Sequence, residues 1–144
     1  MTYAAPIREM RFALDAIAEL PEIAGLPGYG EATADLVSAI LEEAGKLAGE
    51  VIAPLNHPGD RAGSVYENGV VRTPSGFQDA YRQFVEGGWN ALPFDPDFGG
   101  QGLPWALATA VQEMWQAANL SFGLCPLLTA GAVELLQAHG SDQQ

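Results

Sequence analysis

His57 and His139 are the only imidazoles in this 144-residue chain, and Ser121, Ser141 and Cys125 are the groups either could activate as a nucleophile. No Gly-x-Ser-x-Gly turn and no catalytic-cysteine context surrounds them. Cys125 reads as a small buried hydrophobe. His139 reads as a helix end, with Gly140 in the left-handed position behind it. Asp95-Pro96-Asp97 sets two carboxylates on a proline-stiffened turn, but no histidine or third acid lies near in sequence, so loop formation outweighs metal binding. Gly99-Gly100-Gln101-Gly102 precedes a helix, where free N–H groups could cradle a phosphate. No strand-like run leads into it, no Lys or Arg follows, and Asp95 and Asp97 would repel an anion. A tight loop with positive φ and close backbone approach fits better. Trp89, Phe94, Phe98, Trp105 and Trp115 could line an apolar ligand. Trp115 falls at core spacing, and the residues around the loop are open to either role.

Composition narrows the partners. Hydrophobic residues make up 48% of the chain, which excludes a disordered tail. Net charge is −12, and after Arg82 no Lys or Arg follows. Such a surface repels nucleic acid and anionic lipid, so neither is an expected partner. A polyanion such as coenzyme A would need cations from outside this chain. No unbroken apolar run approaches the roughly 20 residues that span a bilayer. One cysteine and no secretory signal make a reducing cytoplasm the default setting.

The elements that must position these groups are mainly helical. Residues 1–30 read as an arm, with a helix from Pro6 that Pro21, Gly25, Pro27, Gly28 and Gly30 break. Residues 31–144 read as one all-α domain. Val37, Ile40, Leu41, Ala44, Leu47, Ala48, Val51 and Ile52 repeat at i, i+3, i+4, predicting a core helix from about Glu31 that ends at Pro54. His57–Gly63 is loop by composition. Asn68-Gly69 between Ser64–Tyr66 and Val70–Arg72 predicts a small hairpin leaning on helices. Thr73-Pro74 and Leu103-Pro104 each predict a helix start. The last helix, Phe122–His139, is apolar all round and so should be buried on every side.

Pro96-Asp97-Phe98-Gly99-Gly100-Gln101-Gly102-Leu103, followed by a helix carrying Glu113-Met114, resembles the N-terminal domain of acyl-CoA dehydrogenases. Tyr3-x-x-Pro6-Ile7-Arg8-x-Met10-Arg11-Phe12 is similar to the start of the larger bacterial members. That branch includes forms acting on methylmercaptopropionyl-CoA. The resemblance implies a mainly α N-terminal bundle with one small β-hairpin, followed in the family by a β-barrel and a C-terminal helical domain. It implies FAD as cofactor, an acyl-CoA substrate, a homo-oligomer and electron-transfer flavoprotein as partner. It also implies α,β-dehydrogenation of a thioester, with a C-terminal glutamate as base. No catalytic or flavin-binding residue of the family maps onto this chain, and the closing His-Gly-Ser-Asp-Gln-Gln matches the family's hinge. The expectation is therefore a truncated piece, inactive alone and without flavin. Phe122, Leu124, Leu127 and Gly131 fall where acyl-lining residues usually arise, and ordinary core packing is their alternative role. An acyl-CoA oxidase, or a non-catalytic helical interaction module, would share the same pattern.

Overall fold

A computed structural model describes residues 3–144. Its centre is α3 (Ala34–Lys46), which buries Val37, Ile40, Leu41 and Ala44. Thr33 caps it, its Oγ1 accepting from the Leu36 N–H at 3.3 Å. Against α3 lies α6 (Trp105–Ala118), whose Leu107, Val111, Met114 and Trp115 complete the same core. The helical spacing predicted the inner face of α3 and the core position of Trp115, and burying each large side chain stabilises the fold by about 1.5–3 kcal/mol.

α1 (Ile7–Ala16) and α2 (Leu20–Ala24) pack on this pair, with Met10, Leu14 and Leu20 in the core. Arg11 fixes α1 in place. Its Nη1 donates to the Ala34 carbonyl at 2.9 Å and to Ser38 Oγ at 2.8 Å, and its Nε donates to Asp15 at 2.7 Å.

Pro54 does not end the central helix. The backbone widens to a π turn at Leu47–Ile52, tightens to a 3₁₀ turn at Ala53–Leu55, and continues as α4 (Asn56–Ala62). A proline lacks an N–H and crowds the carbonyl four residues back. The wide turn ahead of Pro54 takes up both effects. The expected loop at His57–Gly63 is therefore mostly helix, and Gly63 ends it at φ 64°.

The hairpin forms as the Asn-Gly signal predicts. β1 (Val65–Glu67) pairs antiparallel with β2 (Val70–Arg72), Tyr66 opposite Val71, and Asn68 and Gly69 turn at φ 52° and 80°. It does not lean on the helices, since all six strand residues are exposed. α5 (Phe77–Glu86) begins later than Thr73-Pro74 suggested. Its N-cap is Gly76 at φ 89°, where a Cβ would stand 2.6 Å from Leu55 Cδ2.

α7 (Leu120–His139) packs along α6 and is capped by Asn119, whose Oδ1 accepts from the Phe122 N–H at 3.2 Å and from Ser121 Oγ at 2.7 Å. It is not buried on all sides. Phe122, Gly123 and Pro126 are buried, while Leu120, Leu124, Leu127, Leu128, Leu135 and Leu136 face outward. Interrupted by Ser, Pro, Thr and Glu, α7 escapes a search for unbroken apolar runs. By length and composition it is nevertheless sufficient to cross a membrane. Gly140 is extended (φ −68°, ψ 152°) rather than left-handed; its N–H still bonds the Leu136 carbonyl at 2.7 Å, so no reversal of the chain is needed.

Candidate functional site

At about 100° per residue, Leu120, Leu124, Leu127 and Gly131 fall within about 60° of one another on α7. Phe122 lies at least about 140° away from them. The four expected lining residues therefore divide. Leu124, Leu127 and Gly131 share the outward face, and nothing lies within 4 Å of a Cβ built on Gly131. Phe122 points inward and joins an aromatic cluster, 5.8 Å from Phe84, 6.5 Å from Phe77 and 6.5 Å from Tyr81 between ring centroids.

Phe122 and Leu124 meet again in a cleft of about 760 Å³, opened where α4, α5 and the start of α7 converge at the hairpin base. Phe77, Tyr81, Leu120, Phe122 and Leu124 give it an apolar floor. Asn56, Asp60, Ser64, Thr73, Gln78 and Ser121 supply its polar groups. Leu127 and Gly131 do not line it. Phe77 and Tyr81 were legible in the sequence only as the apolar stripe of α5. Cys125 is exposed at this cleft, not buried, because the inward side of α7 belongs to Phe122, Gly123 and Pro126.

A second recess lies between α6 and α7, with an open volume of about 50 Å³. Trp89, Phe94, Trp105 and Trp115 line it, four of the five aromatics singled out above. Phe98 instead stands 86% exposed on its 3₁₀ turn (Pro96–Phe98). The rings brace one another edge to face: Trp89 against Trp115 at 5.5 Å, and Phe94 against Trp105 at 5.6 Å. From α7 the recess receives Gly123, Pro126 and Ala130, all small or compact.

The glycine loop is not a phosphate cradle. The N–H groups of Gly99, Gly100, Gln101, Gly102 and Leu103 bond to the carbonyls of Pro96, Asp95, Ala91, Phe94 and Leu92 respectively. Gly99 and Gly102 take φ of 85° and 63°, and a Cβ on Gly100 would collide with the Phe94 carbonyl. Asp95 spends one oxygen on the Asp97 N–H at 2.9 Å. Neither histidine lines either cleft, and among the described residues no cluster of His, Cys, Asp or Glu could hold a metal. Four of the six cations are paired: Arg11 with Asp15, Lys46 with Glu43, Arg72 with Glu67 and Arg82 with Asp79. With its amides engaged and no Lys or Arg after Arg82, the glycine loop does not fit a flavin diphosphate.

The helical architecture, the glycine loop opening α6 and the small hairpin agree with an acyl-CoA dehydrogenase N-terminal domain. Residues 35–144 match the family model for that domain, and the chain belongs to the acyl-CoA dehydrogenase family. It is 45% identical over 144 residues to 3-methylmercaptopropionyl-CoA dehydrogenase of Ruegeria pomeroyi, covering 100% of this chain and 24% of that protein. It is 24% identical over 144 residues to the broad-specificity linear acyl-CoA dehydrogenase FadE5 of Mycobacterium tuberculosis, covering 99% and 23%. The chain thus spans about a quarter of the length of these curated relatives.

Proposed function

We propose that this chain serves as the N-terminal domain of a flavin-dependent acyl-CoA dehydrogenase, and that it walls the acyl chain of a thioester with the outer face of α7. The observation that carries the reading is the outward row Leu124, Leu127 and Gly131, with Leu128 beside it, on the helix that exposes more large apolar side chains than any other among the described residues. An apolar face of that length is suited to a hydrocarbon chain and to further protein. The similarity to a 3-methylmercaptopropionyl-CoA dehydrogenase supports a short, thioether-bearing acyl-CoA as substrate.

The chemistry of the reaction lies outside this domain. Forming the double bond needs a base at Cα and FAD as acceptor of the hydride from Cβ. Both would come from other parts of the enzyme, as would the cations that meet the CoA phosphates. The same reading carries a cytoplasmic setting, a homo-oligomer and electron-transfer flavoprotein as the acceptor.

A chimera tests this. The matching segment of the Ruegeria pomeroyi relative is replaced by this chain, and the product is loaded with FAD. Turnover of 3-methylmercaptopropionyl-CoA is expected. A folded, flavin-loaded chimera without turnover would sink the reading. The 144-residue chain mixed with excess FAD and desalted is expected to be colourless, and a stoichiometric yellow protein would contradict the assignment of the flavin contacts elsewhere.

A further inference from the structure

The hairpin stands clear of the helices, but its two faces are not alike. We propose that residues 64–73 form a flap that swings over the large cleft and shuts its apolar floor from water. The flap is independent of the acyl-CoA reading above.

The register sorts the side chains. Val65 opposes Arg72 and Glu67 opposes Val70, so these four share one face. The ion pair of Arg72 and Glu67, 3.7 Å between Nη1 and Oε2, lies across that face. Tyr66 opposes Val71 on the other face, where they stand 74% and 62% exposed. Strand alternation carries this second face to Ser64 and Thr73, each two residues nearer the root, and both line the cleft. The apolar face of the hairpin is therefore the one that continues the cleft wall. The cleft offers it Phe77, Tyr81, Leu120 and Leu124. Each strand rises about 3.3 Å per residue, so the hairpin reaches about 10–13 Å from root to turn. A sphere of the cleft's volume, about 760 Å³, is of similar width.

The attachments allow the swing. The Gly63 N–H donates to the Gly59 carbonyl of α4 at 2.9 Å, and the Pro74 carbonyl accepts from the Phe77 N–H of α5 at 3.3 Å. Between these anchors, residues 64–73 make no hydrogen bond to any helix among the described residues. Gly63 takes φ 64° and ψ 172°, a region open to glycine, and nothing lies within 4 Å of a Cβ built on it. The pivot is thus unobstructed. A two-stranded hairpin alone is marginal in water, and closing removes Tyr66 and Val71 from solvent.

Cys125 supplies the test, since it is the one cysteine of the chain and is exposed at the cleft. Val71→Cys and Tyr66→Cys each put a second thiol on the closing face, and Val70→Cys puts one on the opposite face. A disulfide needs Cβ atoms within about 3.5–4.5 Å of each other. Each variant of the 144-residue chain, shown to be folded by thermal melting, is oxidised with glutathione disulfide at high dilution. Free thiols are then alkylated, and internally bridged chains are counted by mass. Val71→Cys or Tyr66→Cys should bridge to Cys125 at least about tenfold faster than Val70→Cys, because only the closing face brings its Cβ into range. Either closing-face variant serves if the other does not fold. No bridge in folded closing-face variants overturns the proposal. Equal rates from both faces also overturn it, because they mark a hairpin that frays instead of closing as a sheet.

Discussion

A Cβ built on Gly59 stands 2.7 Å from Cε2 and 2.9 Å from Cζ of Phe77, so the ring of α5 rests directly on the backbone of α4. The contact closes the floor of the large cleft, which both residues line. Gly59→Ala should push the ring outward, costing about 1–3 kcal/mol as an overpacked contact. Combining it with Phe77→Leu should recover part of that loss, since residues in contact couple. Urea denaturation of the single and double variants gives the comparison; equal midpoints for Gly59→Ala and the parent chain would show that the ring moves freely.

Gly131 behaves oppositely. With nothing within 4 Å of its missing Cβ, Gly131→Phe should leave the melting temperature of the 144-residue chain essentially unchanged. If the outer face of α7 walls an acyl chain, the same change in the chimera should shift chain-length preference by about tenfold or more. A large fall in melting temperature with equal losses on all substrates would remove Gly131 from the lining.

Tyr3 is half-buried, and its hydroxyl is sealed from solvent without a partner among the described residues. Removing an orphaned hydroxyl relieves a desolvation cost, so Tyr3→Phe should stabilise the fold by about 1 kcal/mol. Burial, and secondarily the charge of Glu113, hold this phenol above its ordinary value of 10.0. The folded state thus binds the phenolic proton more tightly than the unfolded chain. That contribution is complete below pH 10 and drains away as pH climbs through the raised value. Stability measured from pH 9 upward should fall less steeply in Tyr3→Phe than in the parent.

Asn119 is fully buried, and its Oδ1 serves both the Phe122 N–H and the Ser121 hydroxyl, while Nδ2 has no partner among the described residues. Asn119→Ala should cost about 0.5–2 kcal/mol through loss of the cap. Asn119→Ser keeps a capping oxygen without the stranded amide and should recover most of it. Should the two variants melt together, the cap contributes nothing to α7.

The inner face of α3 and the turn at Asn68-Gly69 were legible because local signals and tertiary demands agree there. α4 was not. Pro54, Pro58 and Gly59 all argue for a loop, and only a change of pitch upstream lets them sit in a helix. The direction of α7 was hidden for another reason. Its apolar residues surround the axis, so no periodicity marks an inner side, and Cys125 and Leu124 were misread or undecided together. What settles them is the pairing of Phe122 with Phe84, 38 residues apart, which no local pattern encodes. The aromatic set around the glycine loop was visible as residue types, but its convergence on one recess depends on how α6 and α7 pack.

The π turn at Leu47–Ile52 amounts to one surplus residue held inside an otherwise regular rod. Gly49 sits within it, and a Cβ there would press to 3.0 Å against the Tyr3 carbonyl, so the swelling is also where the segment ahead of α1 is berthed. Excising Gly49 would let the turn relax to α pitch while the faces on either side kept their phase. Helix α4 and the core would stay in register, and the berth for Tyr3 would vanish.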